Sequence, residues 1–93
     1  MIKPNKKEIA KSIFRENKEL IKNVADSEQL NTGDKPMRRQ ALNDLLDSLL
    51  RDIRYFVLTE RITEAQSRSI EERLTNYVIK RHDKWEHKTN HFL

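Results

Sequence analysis

Apolar residues recur at helical spacing from Ala41 to Leu58, and this pattern predicts a long amphipathic helix. On a helix that advances about 100° per residue, the large apolar side chains of this segment fall within an arc of roughly 140°. They are Leu42, Leu45, Leu46, Leu49, Leu50, Ile53, Phe56 and Val57. A face of that width contacts two neighbours at once, so we expect the segment to form the central helix of a bundle.

The sequence predicts a second helix before this one and a third after it. Asn5 is placed to cap the first helix, and Glu8 follows three residues later, as in a capping box. The first helix, 5–24, then carries one apolar side, formed by Ile9, Ala10, Ile13, Phe14, Leu20, Ile21 and Val24. Thr63 and Gln66 repeat the capping signature at the start of the third helix, 63–86. The apolar face of that helix consists of Ile70, Leu74, Tyr77, Val78 and Trp85.

The connections between the helices indicate how they are arranged. Residues 25–34 are polar and contain Gly33, the only glycine, so they are predicted to form a loop before a central helix at 35–59 with Pro36 in its first turn. The short connection 59–62 forces the second and third helices to lie antiparallel. We therefore predict an all-α fold, a single-domain three-helix bundle over residues 1–93, with a flexible C-terminal tail at 87–93.

Two polar residues interrupt the apolar faces. Asn17 falls within the apolar arc of the first helix, so its amide is expected at the rim or in a specific polar contact. Arg81 falls within the face of the third helix, where an arginine can bury its methylene groups while its guanidinium reaches solvent. Neither residue excludes the bundle.

Composition limits the class of protein and its location. The chain has 93 residues, 35% apolar and 37% charged, with one Gly and two Pro, a balance that favours helices over β-hairpins. The absence of cysteine excludes disulfides and thiolate metal sites and fits a reducing compartment. The N-terminal residues lack the apolar run of a signal peptide, and no stretch approaches the ~18 apolar residues of a membrane span. We expect a cytoplasmic protein.

No motif for catalysis or metal binding stands out. The serines lack a neighbouring base that would activate them, and Gly33 alone cannot form a phosphate-binding loop. Asp83, His87 and His91 follow the spacing of one helix face, but a solvated terminus explains them better than a metal site with fixed ligands. We therefore predict no enzyme, no cofactor, no metal and no small-molecule substrate.

The positive charge is concentrated near the N-terminus, which raises the hypothesis of nucleic-acid binding. Residues 1–24 contain seven Lys or Arg and three Glu, within a net charge of +4 for the chain. The candidate residues are Lys6, Lys7, Lys11, Arg15 and Lys18, together with Arg38 and Arg39. The third helix argues against this hypothesis, because its basic residues are balanced by Glu64, Glu71 and Glu72. Nucleic-acid binding is therefore the second prediction.

Protein–protein binding is the first prediction. Tyr55, Leu58 and Ile79 lie off the main apolar faces, and if they met across the helix 2–3 hairpin they would form a second apolar patch. Such a patch would bind a protein partner or a second copy of the chain, giving a homodimer. The candidate partner-binding residues are Arg38, Arg39, Arg54, Tyr55, Leu58, Ile79 and Trp85. This prediction describes a small regulator, adapter or inhibitor.

A third functional hypothesis comes from the similarity of one stretch of the chain to a known protein family. The stretch from Leu42 to Val78 contains an amphipathic helix, a brief turn with the sequence RITEAQ, and then IEERL. It resembles the last helical hairpin of the small immunity proteins that protect producers of pediocin-like bacteriocins. The resemblance implies a basic, cytosolic, helical protein with a variable tail. That family has four-helix bundles, whereas residues 25–35 are too short and polar to supply a fourth helix.

Overall fold

The computed structural model describes the backbone of residues 5–27 and 35–90 and the side chains of residues 5–27 and 36–83. Within these ranges the chain forms helices α1 (Lys6–Ala25), α2 (Lys35–Leu58) and α3 (Glu64–Asn90). Each of these helices packs against the other two, and the described part of the chain contains no strand. The predicted three-helix bundle is confirmed.

The predicted N-cap of α1 is formed, and the predicted capping box is complete at the start of α3. The Oδ1 atom of Asn5 accepts a hydrogen bond of 2.8 Å from the backbone N–H of Glu8 at the start of α1. At the start of α3, the N–H of Gln66 donates to Thr63 Oγ1 at 3.1 Å, and the N–H of Thr63 donates back to Gln66 Oε1 at 2.9 Å. These bonds occupy backbone N–H groups that the first turn of a helix leaves without a partner.

A tight turn at residues 59–63 reverses the chain between α2 and α3. Glu60 has a φ of 60°, the left-handed conformation typical of the residue just beyond a helix. The N–H of Arg61 donates to the Phe56 carbonyl at 2.9 Å, and the N–H of Glu60 donates to the Val57 carbonyl at 3.0 Å. These bonds have the pattern of a Schellman motif. Ile62 is buried and anchors the turn, so α3 runs back along α2.

The apolar face of α2 forms the centre of the core, as its sequence pattern predicts. Four of its side chains are buried and the other four are partly buried against them. The buried apolar side chains among the described residues are Ile13, Ile21, Ala25, Leu42, Leu46, Leu49, Ile53, Ile62, Ile70, Leu74 and Val78. The predicted face of α2 therefore packs against both other helices.

Contacts between side chains show that α1 runs parallel to α3. Phe14 of α1 contacts Arg73 of α3, and Lys18, one turn later, contacts Tyr77, one turn after Arg73. Asp26, just after α1, receives a hydrogen bond from Arg81. The two helices therefore advance together, and their side chains define a shared face along the bundle.

Arg81 differs from the sequence-based expectation. Its side chain is only 16% exposed, and its guanidinium forms an ion pair with Asp26 instead of extending into solvent. The parallel packing of α1 on α3 brings the Asp26 carboxylate over Arg81. Asn17 matches its expectation, because it is half-buried and its amide donates to the Ile13 carbonyl at 2.6 Å.

Two further expectations need correction. Leu20, assigned to the apolar side of α1, is 49% exposed. It lies at the edge of the apolar arc, about 100° around the helix from the buried Ile21. Helix α3 continues to Asn90, beyond the predicted end at 86, because residues 64–90 contain neither Pro nor Gly to stop it. The rest of the predicted tail, 91–93, lies outside the described residues, as do positions 28–34 of the predicted loop.

None of the helices in the described ranges is both long and apolar enough to cross a membrane.

Candidate functional site

Helix α1 presents a stripe of positive charge beside its apolar face. Its basic side chains fall within an arc of about 80° on a regular helix, and all of them are exposed. They are Lys7, Lys11, Arg15, Lys18 and Lys22. Lys6, also predicted as a site residue, is exposed but lies about 100° around the helix from Lys7, outside this stripe. The stripe borders the side of α1 that packs on α3.

Helix α3 adds two more cations to the same face. Arg73, Tyr77 and Lys80 fall within an arc of about 60° on α3, and both basic side chains are exposed. Glu64 and Glu71 lie about 160 to 180° around the helix from Arg73. The side of α3 that faces α1 is therefore basic, and these two carboxylates project elsewhere.

The two carboxylates on the other side of α3 have basic neighbours of their own. Glu71 Oε1 lies 4.0 Å from Arg54 Nε of α2, and Glu64 Oε1 lies 3.8 Å from Arg68 Nη2. Two of the three acidic residues that balance α3 along the sequence are thus separated from Arg73 and Lys80 in space. The third, Glu72, is exposed and lies about 80 to 100° around the helix from these two cations.

Two aromatic rings form the floor between the basic residues of α1 and α3. Phe14 and Tyr77 are half-buried, with part of each ring packed against the core. The Arg73 guanidinium lies 3.8 Å from the centre of the Phe14 ring. Lys18 Nζ lies 5.8 Å from the centre of Phe14 and 5.3 Å from the centre of Tyr77. Cation–π attraction therefore holds both cations over the rings.

These residues surround a cleft, which we call the α1–α3 cleft, of about 270 Å³. Its lining consists of Phe14, Lys18, Arg73, Asn76, Tyr77 and Lys80. Within the described part of the chain, Lys18, Arg73 and Lys80 form no salt bridge. The cleft therefore offers positive charge and hydrogen-bond donors above an aromatic floor, a combination suited to an anion that carries a flat ring.

Arg38 and Arg39 lie far from the N-terminal half of the basic stripe. Asn43 of α2 and Asp26 at the end of α1 contact the neighbouring α3 residues His82 and Arg81, so the start of α2 lies beside the end of α1. Lys7 precedes Asp26 by 19 residues, which spans about 28 Å at the rise of an α-helix. Arg38 is half-buried and Arg39 is exposed. The predicted nucleic-acid residues therefore do not form one cluster.

The predicted apolar patch for a protein partner is not formed as a unit. Leu58 is 80% exposed, Tyr55 is 62% exposed and Ile79 is 50% exposed. Leu58 lines a second cleft of about 270 Å³ near the turn, with Arg54, Val57, Glu64, Ser67, Arg68 and Glu71. Ile79 follows Glu64 by 15 residues, about 22 Å along α3. Tyr55 and Leu58 therefore share one end of the bundle and Ile79 does not; the Trp85 side chain lies outside the described part.

Candidate metal ligands do not cluster in the part of the chain that the structure describes. No three His, Asp or Glu side chains there converge on a point that could hold a metal ion. The side chains of His87 and His91 lie outside that part, so the spacing from Asp83 to His91 is not described.

The sequence contains a signal for the α1–α3 cleft that sequence reasoning missed. Phe14 and Lys18 are four residues apart, and Arg73, Tyr77 and Lys80 follow one helical stripe. Neither stripe by itself indicates a binding site, because aromatic residues at helical spacing usually belong to a core. Only the parallel packing of α1 on α3 joins the two stripes into one site.

Comparison with known proteins identified no relatives. No family model matches the chain, and no curated protein or solved structure matches it either. The resemblance of the stretch from Leu42 to Val78 to immunity proteins thus rests on the sequence pattern alone.

Proposed function

We propose that this chain binds nucleic acid through the basic face shared by α1 and α3, and that it acts by binding without catalysis. The observation that carries the proposal is the α1–α3 cleft, where Lys18, Arg73 and Lys80 surround Phe14 and Tyr77. The stripe from Lys7 to Lys22 extends this cleft along α1.

The exposed cations of this face can neutralise the charge of a phosphate backbone. Lys and Arg side chains that neutralise phosphates release condensed counterions, and this release supplies much of the free energy of nucleic-acid binding. Side chains already engaged in salt bridges contribute less, because an existing partner must first be displaced. Lys18, Arg73 and Lys80 have no such partner among the described residues. We place this activity in the cytoplasm, which the absence of cysteine also favours.

The salt dependence of binding tests the proposal. Binding of a fluorescent oligonucleotide is measured by anisotropy between about 50 and 200 mM salt. If three to five phosphates are neutralised, we expect the logarithm of the binding constant to fall against the logarithm of salt with a slope of about −2 to −3.5. An affinity that does not change with salt, or no binding at the lowest salt, would overturn the proposal.

Protein binding remains a second proposal, supported by the exposure of Leu58 and Tyr55 beside the cleft near the turn. That cleft carries both Arg54 and Glu71, so it offers charges of both signs to a second copy of the chain. We expect Leu58→Asp to convert a dimer to a monomer in sedimentation equilibrium. The matched control is Leu20→Asp, which changes a leucine exposed on α1 and should leave the dimer intact. A wild-type chain that is monomeric at every concentration would contradict this second proposal.

A further inference from the structure

We propose that the α1–α3 cleft selects single-stranded nucleic acid by stacking an unpaired base against Tyr77 and the guanidinium of Arg73. This inference rests on the proposed function and names the class of nucleic acid. It adds a role for the aromatic floor, which electrostatic attraction alone does not require.

The stack begins with contacts already present in the cleft. The Cζ atom of Arg73 lies over the Phe14 ring, 3.8 Å from its centre, a separation that fits a guanidinium packed on the ring. One face of a guanidinium packed on a ring in this way is covered, and the other face is available to a planar base. Arg73 is exposed, so that second face is open to the cleft.

The cleft also has space and polar groups for a base. It is an open cleft of about 270 Å³, which leaves room for a planar ring. Asn76 lines the cleft and is exposed, and its side-chain amide can both donate to and accept from the edge of a base. Lys18 Nζ lies over the Tyr77 ring in the free chain, so stacking of a base on Tyr77 requires this flexible side chain to move from the ring to a neighbouring phosphate. Lys80 lines the cleft and can contact the phosphate on the other side of the base.

A duplex cannot use these rings in the same way. Its bases are stacked on one another and present only their edges in the grooves, so their faces cannot reach Tyr77. The rings lie at the floor of a cleft between two helices and do not project from a helix that could enter a major groove. Single strands, in contrast, bind through a basic groove and aromatic stacking together.

Four probes of about 16 nucleotides test this inference by anisotropy at one salt concentration. They are an oligothymidylate, its oligouridylate counterpart, a duplex of equal length, and an abasic strand that keeps the phosphates but lacks bases. We expect the two single strands to bind about tenfold more tightly than the abasic strand, the gain typical of stacking one base. Any difference between the first two probes shows whether DNA or RNA is preferred.

Two substitutions test whether the base stacks in the α1–α3 cleft. Tyr77→Leu removes the ring but keeps apolar contact with the core, and we expect it to lower affinity for oligothymidylate about tenfold without changing affinity for the abasic strand. Tyr55→Leu is the matched control, because Tyr55 is exposed at the turn end of α2, and it should change neither affinity. Circular dichroism verifies that each variant is folded. The comparison of the four probes uses the wild-type chain, so it does not depend on the folding of any variant.

The outcomes separate this inference from the proposed function. Equal, salt-sensitive affinity for thymidylate, abasic and duplex probes would overturn base stacking while leaving phosphate binding intact. Binding of poly-glutamate as tight as that of any oligonucleotide would overturn it too, since the face would then recognise acidic chains in general. Absence of binding to all of the nucleic-acid probes would overturn the proposed function itself.

Discussion

Reversing the charges of Arg73 and Lys80 together is expected to lower affinity for an oligonucleotide roughly 100-fold or more near 0.1 M salt. The counterion-release relation for single strands gives each neutralised phosphate about a fivefold effect at that salt concentration. Arg73→Glu with Lys80→Glu removes two attractions and adds two repulsions in one cleft, so the loss exceeds that of simple neutralisation. Fluorescence anisotropy measures the affinity of the variant and the wild type.

The control for this variant carries the same change in net charge elsewhere. Arg51 and Arg61 are exposed, and neither lines the α1–α3 cleft. We expect Arg51→Glu with Arg61→Glu to weaken binding only modestly, through the general loss of positive charge. Equal losses for the two double variants would contradict a localised site.

Truncation of Ile53 is expected to lower the stability of the bundle strongly. This residue is fully buried on the central face of α2, and a buried isoleucine replaced by alanine costs about 2 to 5 kcal/mol. Such a loss is a large part of the unfolding free energy that is typical of small domains, about 5 to 15 kcal/mol. Urea denaturation of Ile53→Ala, followed by circular dichroism, measures the change.

Ser48→Ala provides the matched comparison for Ile53→Ala on the same helix. Ser48 is exposed, and alanine favours helix, so this change should alter stability by less than about 0.5 kcal/mol. If Ile53→Ala unfolded at the same urea concentration as the wild type, the described core would be wrong. The packing of α1 and α3 on α2 would then need another explanation.

The architecture was accessible from sequence because its determinants are local. The eight large apolar residues of α2 recur with the helical period, and the pair Thr63 and Gln66 marks a helix start through bonds that span three residues. Ile62 was not predicted as core, since its burial depends on how the turn folds beneath it. The ion pair of Arg81 was likewise not predicted, because its partner Asp26 is 55 residues away in sequence and approaches only in the folded chain.

The ranking of the functional hypotheses changed for a similar reason. Along the sequence, residues 63–80 contain three acidic and three basic residues, and this balance made nucleic-acid binding the second prediction. In three dimensions Glu64 and Glu71 lie beside Arg68 and Arg54, whereas Arg73 faces α1. The charge balance of a helix says nothing about which side each sign occupies until its neighbours are known. The basic face of α1 therefore continues onto α3.

For the candidate protein-binding residues, the sequence predicted exposure but not proximity. Sequence reasoning correctly predicted that Tyr55, Leu58 and Ile79 lie off the core faces, since all three are at least half exposed. It could not determine whether they meet, because that depends on the register between α2 and α3. The register set by the turn places Leu58 beside Glu64 and leaves Ile79 far along α3.

Mapping the bound surface tests the central claim most directly. Amide resonances of the ¹⁵N-labelled chain are followed by NMR while an unlabelled oligothymidylate is added. We predict that the largest shift changes occur at Phe14, Lys18, Arg73 and Tyr77, with little change at Leu58. Changes centred on Leu58 and the turn, or no changes at all at low salt, would contradict nucleic-acid binding by the α1–α3 face.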